Sequence, residues 1–237
     1  MNFLADLLSV LSLLSGFLSF IFSLERHFTF AAWAIIISVI FDGIDGQIAR
    51  KNPVPSLFGK ELDSLVDVIS FGLAPAILGY IFIYENFKIL ATLALFVYLL
   101  CSVMRLAKYN VTPKEKLVNF FIGLPTTASG GILASFILIY RKKEDTSVPG
   151  FLPDILLPEY TPVIFLCLVL LLSFLMISNV RYLNLDGLKK LFGKKTRLIC
   201  LIILTALLLA GYFKKTGIAL FSLFLIYLLF SPFVVKK

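Results

Sequence analysis

A chain of 237 residues that is 59% hydrophobic and only 15% charged, with a mean hydropathy of +0.98, is not an ordinary soluble domain but a polytopic membrane protein. Its three cysteines, Cys101, Cys167 and Cys200, are scattered through apolar segments without a CxxC spacing, which excludes a disulfide framework and a thiolate metal site. The net charge of +8 suits an anionic lipid surface and lacks the basic and aromatic face of a nucleic-acid binder.

Hydropathy predicts eight helical spans, at about 4–24, 28–50, 61–84, 87–108, 124–140, 160–178, 197–213 and 217–234. The first begins without a basic n-region or a small-residue cleavage site and reads as a retained helix. The lone His27 follows in a short polar break beside Glu25 and Arg26, where it reads as a loop residue rather than a ligand. With connections assigned alternately to two sides, one side keeps only seven of the 22 basic residues: Arg26, Lys88, Arg141, Lys142, Lys143, Lys214 and Lys215. The positive-inside rule therefore places both termini and the connection between spans 2 and 3 in the cytoplasm, and an inner or plasma membrane is expected.

Span 2 is apolar only from Phe28 to Phe41, about 21 Å of a ~30 Å hydrocarbon core at 1.5 Å per residue. Asp42 therefore falls below the cytoplasmic interface, and Asp45 lies on the same helix face one turn on. Pro53 and Pro55 cannot continue this helix, so the chain turns and span 3 is expected to begin after Gly59. Asp63 and Asp67, four residues apart, share a face of span 3, whereas Glu61 lies about 200° around from Asp63 and is left outside the group.

An ionised carboxylate in this setting costs several kcal/mol unless it is paired or binds a cation. Carboxylates with no His or Cys nearby are hard oxygen donors suited to Mg²⁺ or Mn²⁺. Gly43 and Gly46 each weaken span 2 by roughly 1 kcal/mol relative to Ala, a cost that makes sense where a ligand must approach the backbone. The simpler alternative has these acids snorkelling to water or pairing with Arg50, Lys51 and Lys60.

The run Asp42-x-x-Asp45-Gly46-x-x-Ala49-Arg50, eight residues, Gly59-x-x-x-Asp63-x-x-x-Asp67 resembles the signature of the CDP-alcohol phosphotransferase family at every position. That resemblance implies an all-α polytopic membrane protein with a six-helix core, about residues 1–178, to which spans 7 and 8, about 197–234, are appended in a single membrane domain. It also implies a homodimer that moves a phosphatidyl or similar group from a CDP-activated lipid to an alcohol and releases CMP. Asp42, Asp45, Asp63 and Asp67 would hold one or two divalent ions on the CDP pyrophosphate, and Asp67 would also be the general base. Gly46 and Ala49 would admit the cytidine moiety, with Arg50 and Gly59 completing the signature.

The segments from Arg105 to Asn110 and from Phe121 to Gly131 look like the phosphatidylserine synthase branch, which implies CDP-diacylglycerol as donor and L-serine as acceptor. Lys108 and Tyr109 stand where that branch has Arg and Phe, and the first span lacks its Pro-Asn opening. A free amino acid needs a cation for its carboxylate and oxygen acceptors for its ammonium. Arg105 is the candidate cation, with Lys108 beside it and Asn110, Thr126 and Thr127 as neutral contacts. Alternatively, Arg105 and Lys108 anchor span 4 at the headgroups, and Thr126 to Gly131 form a small-residue packing face. Pro125 fits the first turn of span 5, and Pro75 should kink span 3, with Gly72 easing the bend. Spans 7 and 8 show no residues with evident chemistry. Other acceptors (glycerol 3-phosphate or inositol phosphate), an archaeal CDP-ether-lipid donor, and a cation transporter or channel are the competing readings.

Overall fold

The structure is a computed structural model that describes residues 3–51, 57–85, 87–112, 120–139, 160–184, 187 and 216–235. The chain forms α1 (Phe3–Leu24), α2 (Phe28–Lys51), α3 (Leu57–Asp67), a π-helical stretch (Val68–Leu73), α4 (Ala74–Ile83), α5 (Lys88–Val111), β1 (Phe120–Ile122), α6 (Thr126–Ile139), α7 (Thr161–Ile177), β2 (Arg181–Leu183) and α8 (Thr216–Val235). Among the described residues, five helical segments are long and apolar enough to cross a membrane, Phe58–Ile83 counting as one, and α6 and α7 are shorter apolar helices. The predicted span 7, with Cys200, lies outside the described residues.

Apolar side chains face lipid over much of this surface, so polar and small residues decide where helices meet. On α1, Ser9, Ser12, Ser15, Ser19 and Ser23 are all buried, a stripe at three- and four-residue spacing that packs along α2. Ser12 and Ser38 share a 2.7 Å hydroxyl contact across it. The core between the other helices contains Ile35, Phe71, Leu78, Tyr98, Leu133, Phe165 and Leu172, all fully buried. α6 runs between α2 and α8, and a Cβ at Gly131 would overlap the Phe224 ring, so glycine is what lets α8 approach.

Two departures from the sequence expectation bear on the site. The third helix starts at Leu57, two residues before Gly59, and α-helical geometry gives way to a π turn directly after Asp67. The expected effect of Pro75 is thus felt upstream: proline has no N–H to give the Phe71 carbonyl, and the Ala74 N–H reaches back five residues to Ile69. The second departure is the antiparallel pairing of β1 with β2, Phe120 opposite Leu183 and Ile122 opposite Arg181. It joins the segment before α6 to the one after α7. Gly123, at a φ of +78° that favours glycine, completes the junction by donating its N–H to Val180 O at 2.8 Å. Pro125 then leads α6, its carbonyl accepting the Ser129 N–H at 3.0 Å.

Candidate active site

Asp42 and Asp45 stand near the end of α2, and Asp63 and Asp67 stand on α3. Asp67 is ten residues from the start of α3, about 15 Å along the axis. Oxygens of Asp42, Asp63 and Asp67 all lie within 4.8 Å of one another, and the three residues are partly buried. Asp67 is in side-chain contact with Asp42, while its Oδ1 is buried without a hydrogen-bond partner among the described residues. Carboxylates this close repel one another unless a cation lies among them. The donor set, hard oxygens alone, and the orphaned Oδ1 both fit a divalent ion of the Mg²⁺ or Mn²⁺ type.

Asp45 stands apart from the trio. It is 3% exposed and accepts a 3.0 Å hydrogen bond from Ser9 Oγ of α1, yet it remains near enough to Asp63 and Asp42 to interact with their charges. Glu61 is exposed and outside the group. Among the described residues, a Cβ at Gly43 or Gly46 would meet no heavy atom within 4 Å. Helix packing therefore does not require these glycines, and the space beside them is open to a ligand. Gly59 is partly buried in α3, and the side chains of Ala49 and Arg50 lie outside what is described.

Arg105 is only 7% exposed, which rules out a headgroup anchor reaching for water. Its Nη1 donates to Thr126 Oγ1 at 3.2 Å, and its guanidinium carbon sits 5.6 Å from the Tyr109 ring centre and 5.8 Å from that of Phe121. Such a cradle of aromatic faces attracts a desolvated cation. Asp67 and Asp42 both interact with its charge, while its Nε is buried with no partner among the described residues. A buried cation with a spare donor can receive an anion.

The other candidate polar residues divide. Thr126 is fully enclosed and holds Arg105; Thr127 beside it is partly buried. Gly130 packs against the Phe71 backbone and Gly131 under Phe224, so this segment supplies both a polar contact and a packing face. Asn110 Nδ2 donates to Ser64 Oγ at 2.9 Å, and its carbonyl accepts from Lys60 Nζ at 3.4 Å, tying α5 to α3 next to Asp63. Lys108 is exposed and donates to Asn179 Oδ1 at 3.3 Å.

Three residues near the site were not singled out from sequence. Ser9 holds Asp45, and Tyr98 donates to the Phe71 carbonyl at 2.9 Å. Tyr227, in the largely apolar α8, donates to Leu183 O at 3.0 Å and faces Tyr182 at 6.0 Å. A single tyrosine in a Leu- and Phe-rich span was the available signal for α8.

Residues 2–160 match the family described as CDP-alcohol phosphatidyltransferase. A Helicobacter pylori protein named CDP-diacylglycerol–serine O-phosphatidyltransferase is 31% identical over 184 residues, 78% of this chain and 73% of that protein. The Methanothermobacter thermautotrophicus archaetidylserine synthase is 35% identical over 186 residues, 78% of this chain and 71% of that protein. A Methanocaldococcus jannaschii CDP-diacylglycerol–serine O-phosphatidyltransferase is 32% identical over 180 residues, 76% and 73% of the two chains.

Proposed function

The chain belongs to the CDP-alcohol phosphatidyltransferase family, and on that premise we propose that it transfers the phosphatidyl group of CDP-diacylglycerol to the hydroxyl of L-serine, giving phosphatidylserine and CMP. The observation that carries this reading is the carboxylate trio, Asp42, Asp63 and Asp67 within 4.8 Å, beside the buried, aromatic-lined Arg105.

In the transfer, a bond forms between the serine oxygen and the phosphatidyl phosphorus, and the bond from that phosphorus to the CMP oxygen breaks. Asp42, Asp63 and Asp67, with Asp45 adjoining, would hold one or two Mg²⁺ or Mn²⁺ ions. Such an ion neutralises charge on the pyrophosphate oxygens and aligns the displacement. Asp67, at the edge of this trio, takes the proton of the attacking hydroxyl. Arg105 receives the serine carboxylate through the guanidinium edge that Thr126 leaves free, and Thr127 and Asn110 lie within the same polar end of the bundle. Lys108, held on Asn179, draws anions towards that end. The open faces of Gly43 and Gly46 suit the approach of the cytidine and its phosphates, with Ala49, Arg50 and Gly59 completing that side.

The site lies on the cytoplasmic face of the inner or plasma membrane in this account, since the connections flanking it carry most of the basic residues. A homodimer follows from the family resemblance. An ether-lipid donor with the same acceptor is a second reading, favoured by the 35% identity to an archaetidylserine synthase.

Purified protein incubated with Mn²⁺, either CDP-diacylglycerol or its ether analogue, and L-serine, glycerol 3-phosphate or inositol phosphate tests the assignment. CMP release is expected with serine alone among the acceptors. Release with a phosphorylated alcohol but not with serine would overturn it.

A further inference from the structure

We infer that Tyr98 is a positioning residue for the carboxylate trio: its hydroxyl holds the π-helical turn that aims Asp63 and Asp67 at Asp42. This rests on the metal-binding reading of the trio.

Asp67 is the last α-helical residue before the π stretch Val68–Leu73. A π turn takes up one residue more than an α turn, and each residue corresponds to about 100° of helix rotation. Beyond the stretch, α4 is held in place by Leu78 and Ile83, both fully buried, and by Gly79 against the Phe165 ring. With α4 fixed, the hydrogen-bonding register of the π turn sets which way Asp63 and Asp67 face.

That register has one weak point. Pro75 has no N–H to give the Phe71 carbonyl at α spacing or the Ser70 carbonyl at π spacing, and in a bilayer interior an unpaired carbonyl is costly. Tyr98 Oη, from α5, donates to it at 2.9 Å and in turn accepts from Ser129 Oγ of α6 at 3.1 Å. The Tyr98 side chain is fully buried. On the opposite side Ser70 Oγ donates to Ser12 O of α1 at 3.2 Å, and Gly130 lets α6 close on the Phe71 backbone. These contacts pack the turn; Tyr98 alone among the described residues satisfies the carbonyl with a side chain. Without its hydroxyl the turn must find another donor, and any change of register carries Asp63 and Asp67 with it.

The test is direct binding of Mn²⁺ to purified protein, followed by electron paramagnetic resonance, in wild type, Tyr98→Phe, Asp63→Asn and Leu172→Val. The last is a core control in α7, remote from the turn. Tyr98→Phe should weaken Mn²⁺ binding about tenfold and lower kcat, with the donor KM within about twofold of wild type. Leu172→Val should lower Tm and leave Mn²⁺ binding unchanged. Unchanged Mn²⁺ binding in Tyr98→Phe, or an equal loss in the control, overturns the positioning role while the metal reading stands. Wild type that fails to bind Mn²⁺, or Asp63→Asn that binds as wild type does, removes the metal reading and this inference with it. If Tyr98→Phe does not purify folded, Ser129→Ala reads the same network with a loss of about two- to threefold; no loss there overturns the inference.

Discussion

Ser9 Oγ on α1 donates a 3.0 Å hydrogen bond to Asp45 Oδ2 on α2, and Asp45 stands outside the three carboxylates that converge. Removing the donor leaves a buried carboxylate oxygen short of a partner, which costs about 1–3 kcal/mol. Ser9→Ala should therefore lower Tm by several degrees while reducing kcat less than Asp63→Asn does. A Ser9→Ala protein with wild-type Tm would show that the bond contributes nothing.

Arg105 should discriminate between the two substrates. Arg105→Ala is expected to raise the serine KM roughly tenfold to a hundredfold, the worth of a charge-assisted hydrogen bond, with the KM for the CDP-lipid changed much less. Arg105→Lys should fall nearer to Ala than to wild type, because an ammonium cannot keep Thr126 and still offer the flat edge that Nε provides. Equal effects on both KM values would assign Arg105 a purely structural role.

Helix α8 depends on a missing side chain. A Cβ at Gly131 would collide with the Phe224 ring, so Gly131→Leu should destabilise by about 1–3 kcal/mol through overpacking. Phe224→Ala in the same chain should recover part of that loss, a non-additivity that a double-mutant cycle measures by thermal unfolding. Strict additivity would mean that the two residues do not meet.

Between α1 and α2, Arg26 forms a 2.7 Å ion pair with Glu85, which follows α4, and the two side chains are 57% and 60% exposed. A pair this open contributes no more than about 1 kcal/mol. Glu85→Gln should leave kcat unchanged and shift Tm only slightly, and a large loss of activity would signal a link to the site that the fold does not provide.

Much of this site was legible in the sequence because the relevant signals are local. The Asp42 to Asp67 spacing, the short apolar run of α2 and the long apolar periods of α1 and α5 each need only nearby residues, and observed helix ends fall within a few residues of those expected. What escaped depends on distant partners. The π turn arises where Pro75 removes a donor, but its stabilisation needs Tyr98, 27 residues beyond Phe71. β1 and β2 are three residues each, too short for an alternating pattern, and their paired residues lie 59 to 63 positions apart. Asp45, outside the trio, is bonded by Ser9 of α1, and nothing in α2 alone predicts that contact. Tyr227 is hidden by the high apolarity of α8, where its hydroxyl hardly alters the hydropathy.

We propose that Asp67 takes the acceptor proton within a cation-binding trio. It is tested most directly by CMP release from CDP-diacylglycerol and L-serine in Asp67→Asn, with donor affinity measured on the same preparation. Release is expected to fall by about a hundredfold to ten-thousandfold, the usual worth of general acid–base catalysis, with donor affinity largely retained. Turnover at the wild-type rate in a folded Asp67→Asn protein would contradict it.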